Sequence, residues 1–301
     1  MIDFVPMRSR TCKSDDGQSI TYRVIDDGPS THTLVFSGGL GGTHLIWTAL
    51  ARVLRASYRL IIWDYPGLTA SPSSSRVRSV SVSDLAAFQK TVMDTENVER
   101  ACIVGWSMGP QVALEFSDRY PDRISALVAI CGVAGRPFED HQESEPVAAA
   151  LGLRAAVPGA VEWISERIDR IEKLKSMLRK IEHPTRWAKR LGLVDPHLDE
   201  LVFDAVIRDF IDLDPGTYRQ YVKAAAEHDA SHMLSTLKLP VFALGGEKDR
   251  LVPCARVKEL ADAIPGARYM EIRGATHFLP LEYANLTALE IDEFIKQRVT
   301  N

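Results

Sequence analysis

ACIVGWSMGPQVALEF, residues 101–116, joins a strand pattern to a helix pattern through a serine. Residues 101–105 form a short and almost wholly apolar run, which is typical of a parallel strand covered on both faces. From residue 108 onward the apolar side chains recur with helical spacing. Ser107 lies between the two patterns, and Gly105 and Gly109 lie two positions to either side of it. The stretch therefore predicts a strand, a sharp turn and a helix, with Ser107 in the turn.

This turn suits a nucleophilic serine. A serine hydroxyl is a poor nucleophile unless it projects clear of the fold toward a base, and a strand-to-helix turn provides that projection. The turn crowds the backbone, so the positions occupied by Gly105 and Gly109 must lack side chains. The pattern alone is weakly specific in a chain with 19 glycines, and its strand–turn–helix context gives it weight. The alternative is a serine that only caps the helix.

Strand and helix patterns alternate on both sides of this stretch. Further strand patterns cover residues 33–37, 58–63, 126–131, 240–245 and 268–272. Helical patterns cover residues 44–55, 83–96, 254–263 and 281–299. Ser81 and Asp84 have the spacing of a capping box at the start of the second of these helices. The alternation predicts an α/β fold with a doubly wound, mostly parallel sheet.

One long interval lacks strand patterns. Residues 138–235 contain helical patterns, such as 161–180 and 198–211, and a gap of roughly 100 residues is too long for a loop. We therefore predict an all-helical cap subdomain at 138–235, inserted into a core domain formed by residues 1–137 and 236–301. Its apolar residues should mostly pack, and a minority should line a pocket. Those with the clearest helical spacing are Leu151, Leu153, Val161, Trp163, Ile164, Ile168, Ile171 and Leu174.

With these motifs the chain resembles the α/β-hydrolase superfamily over nearly its whole length apart from the insert. The resemblance implies a catalytic triad in the order nucleophile, acid, base. Asp249, shortly after the strand pattern 240–245, matches the acid of the family, and Glu247 is the nearby alternative. His277, after the last strand pattern, matches the base. The predicted catalytic residues are therefore Ser107, Asp249 and His277.

The resemblance also implies an oxyanion hole made of two backbone N–H groups. One donor would be Met108, directly after the nucleophile, and the other Leu40, in the Gly-rich loop after the first strand pattern. Gly39 belongs to this loop, and Gly38 departs from the family, which usually has His at that position. Because the donor is a backbone group, activity should tolerate this change. Asp64, in an Asp-x-x-Gly turn, matches a structural turn residue of the family.

Two other binding patterns are weaker. The Gly-rich loop imitates a dinucleotide-binding unit, but the third glycine of that fingerprint would fall at His44, whose side chain prevents close packing of helix and strand. His228 and His232 are one helical turn apart and could share a metal ion, yet no third ligand is evident. We therefore expect solvated or capping histidines and predict neither a metal nor a cofactor.

Composition limits the remaining functions. A net charge of −4 argues against nucleic-acid binding, which needs clustered positive charge. The chain has no apolar run long enough to span a bilayer and no apolar stretch of signal-peptide length at its start. Its four cysteines are widely scattered, so we expect reduced thiols and a cytoplasmic location. A homodimer remains open.

Together these features predict a serine hydrolase that cleaves a carboxylic ester or lactone of an apolar small molecule through an acyl-enzyme. In the families that the chain resembles, haloalkane dehalogenases and epoxide hydrolases carry Asp where this chain has Ser107. Two alternatives from other classes remain. One is a lyase or cofactor-free perhydrolase that uses the same triad, and the other is a ligand receptor that retains the triad for slow turnover.

Overall fold

A computed structural model describes residues 7–27, 32–68, 79–135, 173 and 175–299. Its centre is an eight-stranded sheet with the strand order β1-β2-β4-β3-β5-β6-β7-β8. Strands β3 to β8 pair in parallel, whereas β2 pairs antiparallel with both β1 and β4. The strands are β1 (Arg8–Lys13), β2 (Ser19–Ile25), β3 (Thr33–Ser37), β4 (Arg59–Trp63), β5 (Ala101–Trp106), β6 (Ile124–Ile130), β7 (Val241–Gly246) and β8 (Arg268–Ile272). The mostly parallel sheet is confirmed.

Helices follow most of the parallel strands. The described helices are α1 (Thr48–Leu54), α2 (Val82–Thr95), α3 (Gly109–Arg119), α4 (Pro184–Arg190), α5 (Glu200–Ile211), α6 (Pro215–Glu227), α7 (Cys254–Asp262), α8 (Leu279–Glu282) and α9 (Ala284–Arg298). Ser81 and Asp84 form the predicted capping box at the start of α2. Two predicted helices are interrupted. The first begins as a 3-10 turn at His44–Trp47, and the last breaks at Tyr283 between α8 and α9.

The hairpin of β1 and β2 was not predicted. Residues of β1 are exposed in all but one position, so this edge strand lacks apolar alternation. β2 is buried, but it carries polar side chains inward. Arg23 is one of them, and its guanidinium lies 2.6 Å from the Asp64 carboxylate, with both side chains almost wholly buried. Asp64 thus has a structural role, as the buried partner of Arg23. The need for this partner explains why β2 contains a charged residue although it is buried.

The sheet buries apolar side chains on both faces because successive residues of a strand point to opposite sides. In β3, Leu34 and Phe36 pack in one cluster with residues of α1 and α9. Val35 packs in the other cluster, with residues of α2 and α3. This two-sided burial is the reason that the parallel strands read as continuous apolar runs.

Three described helices, α4 to α6, lie in the chain between β6 and β7. The predicted helix at 198–211 corresponds to α5, whereas most of the predicted helix at 161–180 lies outside the described residues. Val202 and Phe203 of α5 pack in the cluster of α1 and α9, and Tyr221 of α6 packs in the cluster of α2 and α3. The inserted helices are thus anchored to both clusters of the core. No helix in the described ranges has the length and apolar character needed to cross a membrane.

Candidate active site

Ser107 occupies a strained turn between β5 and α3. Its φ is 60°, in the left-handed region that side chains rarely adopt, and its N–H donates to the Ile130 carbonyl oxygen at 2.9 Å. A Cβ at Gly105 would lie 2.5 Å from the Gly109 carbonyl carbon, and one at Gly109 would collide with the Ser37 carbonyl oxygen. Both glycines are therefore required for the close packing of the turn. Ser107 therefore lies in a tight strand-to-helix turn of the kind predicted from the sequence, and it lines a cavity.

The structure brings Ser107, His277 and Asp249 into one hydrogen-bonded chain. His277 Nε2 lies 3.0 Å from Ser107 Oγ, and His277 Nδ1 lies 2.8 Å from Asp249 Oδ2. The Asp249 side chain has no solvent exposure, and that of His277 is 7% exposed. The three residues follow β5, β7 and β8, so the carboxyl ends of parallel strands carry all of them. A hydroxyl, an imidazole and a carboxylate are therefore aligned in a largely buried place.

The Asp249 carboxylate is fixed by backbone donors as well as by His277. Its Oδ1 accepts hydrogen bonds of 2.8 Å from the N–H groups of Leu251 and Val252. Glu247, the alternative acid, instead accepts a hydrogen bond of 2.7 Å from the Gly274 N–H at the exposed surface. The structure therefore places Asp249, and not Glu247, against the imidazole.

A buried thiol, that of Cys131, lies beside Asp249 and His277. The donor atoms of Cys131, Asp249 and His277 lie within 4.8 Å of one another, which is close enough for a shared metal ion. Burial raises the pKa of the Cys131 thiol well above its ordinary value, and the neighbouring Asp249 charge raises this pKa further. A metal ion bound here would have to displace the thiol proton, because the thiolate is the ligand. Asp249 and His277 are already satisfied by each other.

The Gly-rich loop packs directly on the serine turn. A Cβ at Gly39 would lie 2.7 Å from the Ser107 Cβ, and one at Gly42 would lie 2.7 Å from the Trp106 ring. Trp106 Nε1 in turn donates to the His277 carbonyl oxygen at 2.7 Å. The glycines therefore allow close approach to the serine turn, which explains the loop without a dinucleotide. Leu40 and Met108, the predicted oxyanion donors, both line the cavity around Ser107.

Glu282 holds the loop of His277 and was missed by the sequence analysis. Its carboxylate accepts hydrogen bonds of 2.7 Å from both the N–H and the hydroxyl of Thr276, and one of 2.8 Å from the Asp195 N–H. Burial raises the pKa of Glu282, whereas these hydrogen bonds lower it. The residue thus ties the segment before His277 to the inserted helices. Its position five residues after His277 is not a signal that sequence alone could interpret.

A cavity of about 390 Å³ opens above Ser107 and His277. Its walls are mainly apolar, and about half of the lining residues come from the chain between β6 and β7, including Leu178, Ile181, Ala188, Phe203, Val206 and Phe210. Lys248 and Arg250, which flank Asp249 in sequence, are the cationic residues that line it among the described residues. The apolar residues between Leu151 and Leu174 that the sequence pattern singled out lie outside the described residues. The cavity offers an apolar compartment for a small molecule.

Among the described residues, neither His228 nor His232 belongs to a cluster of three potential metal ligands. His228 ends α6, and its Nε2 lies 3.2 Å from the Glu115 carboxylate. His232 is exposed. The expected capping role therefore fits His228.

Comparison with known proteins agrees with this architecture. A family model described as the alpha/beta hydrolase fold matches residues 32–284. The 2-hydroxy-6-oxononadienedioate/2-hydroxy-6-oxononatrienedioate hydrolase of Paraburkholderia phymatum is 28% identical, over 94% of this chain and 93% of its own. The pimeloyl-[acyl-carrier protein] methyl ester esterase of Neisseria meningitidis is 25% identical, over 86% of this chain and 75% of its own.

Solved structures share the fold. The enol-lactonase of Burkholderia xenovorans superposes with a TM-score of 0.70 at 22% identity, over 95% of this chain and 100% of its own. An esterase of Rhodococcus gives a TM-score of 0.71 at 20% identity, over 96% and 99% of the two chains. Since the family model covers most of the chain and the relatives align along nearly all of it, the chain belongs to the α/β hydrolase fold family.

Proposed function

We propose that this protein is a serine hydrolase that cleaves a carboxylic ester or lactone of an apolar small molecule through an acyl-enzyme. The observation that carries the proposal is the hydrogen-bonded chain from Asp249 through His277 to Ser107. Ser107, at one end of this chain, lines an apolar cavity. Hydrolases among the relatives support the same class of activity.

The proposed roles follow from the two distances. His277 Nε2, 3.0 Å from Ser107 Oγ, would accept the hydroxyl proton as the oxygen attacks the carbonyl carbon. The imidazolium would then return this proton to the leaving alkoxide, which departs as the alcohol. Asp249, 2.8 Å from Nδ1, would hold that nitrogen as the donor and stabilise the imidazolium. In the second step His277 Nε2 would accept a proton from water as the water oxygen attacks the acyl-enzyme. The bond from the acyl carbon to Ser107 Oγ would then break, Oγ would take the proton back from His277, and the carboxylic acid would leave.

The negative charge of the tetrahedral intermediate needs donors. We assign them to the N–H groups of Leu40 and Met108, both of which line the cavity beside Ser107. Met108 precedes α3, so the partial positive charge of a helix N-terminus adds to its N–H. Because Leu40 donates through its backbone, the absence of His at position 38 leaves this role intact.

Residues 138–235 would act as the cap over this site, on a core formed by 1–137 and 236–301. Described residues of the insert supply about half of the residues that line the cavity, and Glu282 links the insert to the loop of His277. Since the wall is mainly apolar, an ester with an aliphatic acyl or alcohol group fits better than a charged one.

A second candidate is hydrolysis of a carbon–carbon bond. The Paraburkholderia relative hydrolyses a 2-hydroxy-6-oxo dicarboxylate, a compound that contains no ester. Recognition of two carboxylates would require cations in the cavity, and the described lining offers Lys248 and Arg250, both largely exposed and on one loop. The rest of the cavity lining is mainly apolar, which favours an ester substrate over a dicarboxylate. Turnover of a 2-hydroxy-6-oxo dienoate with inertness toward all esters would select the second candidate instead.

Acyl-chain length should control the rate. We expect kcat/KM for p-nitrophenyl esters to rise by up to about fourfold per methylene until the cavity is full, since each buried methylene contributes about 0.8 kcal/mol. Part of the gain should appear in kcat, because binding energy remote from the reacting atoms can be used in the transition state. The measurement is kcat and KM for a series from acetate upward.

A volume change in the wall provides the matched test. Ala188→Phe on α4 should shift the optimum to shorter acyl chains, because Ala188 lines the cavity. Ala205→Phe on α5 is the control, since Ala205 is similarly half-buried but does not line this cavity. A flat profile in the wild type, or an equal shift in both variants, would mean that this cavity does not select the acyl chain.

Glu282→Gln should lower kcat by about 10- to 100-fold, because small misplacements of catalytic groups have effects of that size. An amide has one acceptor oxygen, so at least one partly buried N–H of Thr276 or Asp195 would lose its partner, which costs at most about 1–3 kcal/mol of stability. Activity should be expressed per active site by burst titration, with KM measured in parallel.

Thr276→Ser is the control for this prediction, because it keeps both donors to Glu282. Unchanged kcat per folded molecule in Glu282→Gln, with only the stability lowered, would reduce Glu282 to a structural residue.

A further inference from the structure

The segment from residue 173 to 193 concentrates positive charge. It contains seven Lys and Arg residues and a single Glu, although the whole chain has a net charge of −4. Arg186 and Lys189 are both paired with Glu200, at 3.0 Å and 3.3 Å. Lys180 and Arg190 are exposed and have no carboxylate partner among the described residues. The segment therefore presents a net positive surface.

Large apolar side chains lie exposed on the same segment. Met177 is 54% exposed, Trp187 53% and Leu191 60%. All three also line the cavity above Ser107, so they surround its opening. The Arg190 guanidinium lies 6.0 Å from the centre of the Trp187 ring. We name these three residues, together with Lys180, Arg186, Lys189 and Arg190, the basic rim.

The composition of the basic rim matches a lipid surface better than a protein surface. Exposed aromatic and aliphatic side chains flanked by Lys and Arg are typical of segments that lie at the boundary of headgroups and acyl chains. Insertion there needs only a few apolar side chains, whereas a stable protein interface buries about 800 Å² on each partner. Anionic headgroups complement the charge of the rim.

We propose that the basic rim docks this protein on the surface of an anionic phospholipid bilayer, with the opening of the cavity facing the acyl chains. Docking would be peripheral, through Met177, Trp187 and Leu191. It would give an apolar substrate dissolved in the bilayer a route into the cavity that avoids water. The proposal goes beyond the hydrolysis proposed above, because binding to the bilayer does not depend on Ser107.

Vesicle sedimentation tests the charge requirement. The full-length protein should bind phosphatidylcholine vesicles that contain about 30% phosphatidylglycerol, and about 0.5 M NaCl should release it by screening. Pure phosphatidylcholine vesicles should bind it at least about tenfold more weakly, since each cation near an anionic surface strengthens binding about fivefold. Equal binding to both kinds of vesicle would overturn the proposal.

A double variant locates the surface. Lys180→Glu with Arg190→Glu should weaken binding to the anionic vesicles by at least about 30-fold, because two attractive charges become repulsive. Arg52→Glu with Arg298→Glu is the matched control, since both residues are exposed on α1 and α9 and the change in net charge is the same. An equal loss in the control would assign the binding to net charge rather than to the rim, and would overturn the proposal.

Tryptophan fluorescence tests insertion. Of the five tryptophans, Trp47, Trp63 and Trp106 are buried, and Trp163 lies outside the described residues. Anionic vesicles should shift the emission to the blue in the wild type and in Trp163→Phe, but not in Trp187→Phe. A shift that persists in Trp187→Phe would contradict docking through the rim.

Two further outcomes separate this proposal from its rivals. Ser107→Ala should bind vesicles as well as the wild type does. A wild-type protein that binds vesicles but hydrolyses no ester would count against the proposed hydrolysis and not against docking. A protein that ignores vesicles but binds a purified acidic carrier protein through Lys180 and Arg190 would overturn the lipid proposal in favour of a protein partner.

Discussion

Ser107→Ala is expected to lower kcat for an ester substrate by about 10⁴- to 10⁶-fold, because the members of a triad act as a unit and the oxyanion donors alone retain little rate. The reason lies in the single contact of 3.0 Å between Ser107 Oγ and His277 Nε2, which no other hydroxyl makes among the described residues. The measurement is the rate of p-nitrophenyl ester hydrolysis under saturating substrate.

The fold should survive this substitution. The backbone of Ser107 is held by its N–H bond to Ile130 and by the packing of Gly39 and Gly132 against it, none of which involves the hydroxyl. Ala is no more strained than Ser at a φ of 60°. The melting temperature should therefore stay close to that of the wild type.

Ser117→Ala supplies the matched control. Ser117 is also buried, on α3, and its hydroxyl donates to the Leu114 carbonyl oxygen at 2.7 Å. Its loss should leave kcat unchanged. A fluorophosphonate should label the wild type and Ser117→Ala at Ser107, and should fail to label Ser107→Ala. Retention of more than about a tenth of the wild-type turnover in Ser107→Ala would remove Ser107 from the mechanism, given the penalty expected for a nucleophile.

Labelling also separates the remaining alternatives. A protein that reacts with the fluorophosphonate at Ser107 but turns over no ester would have an activated serine with another chemistry, such as that of a lyase or perhydrolase. A protein whose ligand affinity is unaffected by Ser107→Ala, with negligible turnover in the wild type, would act as a receptor.

The sequence predicted the central part of the fold because its signals are local. The strand pattern at 33–37 matches β3 to the residue, since a strand buried on both faces must be apolar. The pattern at 268–272 also matches β8 to the residue, although β8 is an edge strand and mostly half-buried. Gly105 and Gly109 indicated the sharp turn in the sequence because such a turn leaves no room for a Cβ at either position. Residues whose identity is dictated by backbone geometry or by burial are visible in sequence.

The hairpin of β1 and β2 was invisible for the opposite reason. Arg23 is buried in β2 only because Asp64, 41 residues later, neutralises it. The role of Glu282 likewise depends on hydrogen bonds from Thr276 and from Asp195, which is 87 residues earlier in the chain. Pairings between distant polar residues leave no periodic pattern, so composition and spacing could not predict them.

The wall of the cavity shows a third limit. Along α5, Val202 packs in the core without lining the cavity, Phe210 lines the cavity, and Phe203 does both. The same apolar residue types, at the same helical spacing, line a cavity or fill a core. Only the arrangement of helices separates them.

Asp249→Asn should lower kcat by about 10³- to 10⁴-fold while the protein remains folded, because the amide imposes the wrong tautomer on His277. The structure fixes how the amide must lie. Oδ1 of Asp249 accepts from the N–H groups of Leu251 and Val252, so in Asn the carbonyl oxygen must stay in that position to keep both bonds. The NH₂ group then points at His277 Nδ1.

That orientation disables the base. Facing a donor, Nδ1 must become the acceptor and the proton of the neutral imidazole moves to Nε2, 3.0 Å from Ser107 Oγ. A protonated Nε2 cannot take the proton of the serine. Glu247→Gln is the control and should change kcat little, since the exposed Glu247 side chain accepts a hydrogen bond only from the Gly274 N–H among the described residues. Both variants should be measured on the same ester. A larger loss of kcat in Glu247→Gln than in Asp249→Asn would assign the role of the acid to Glu247. The 2.8 Å contact between Asp249 and His277 would then have no part in the reaction.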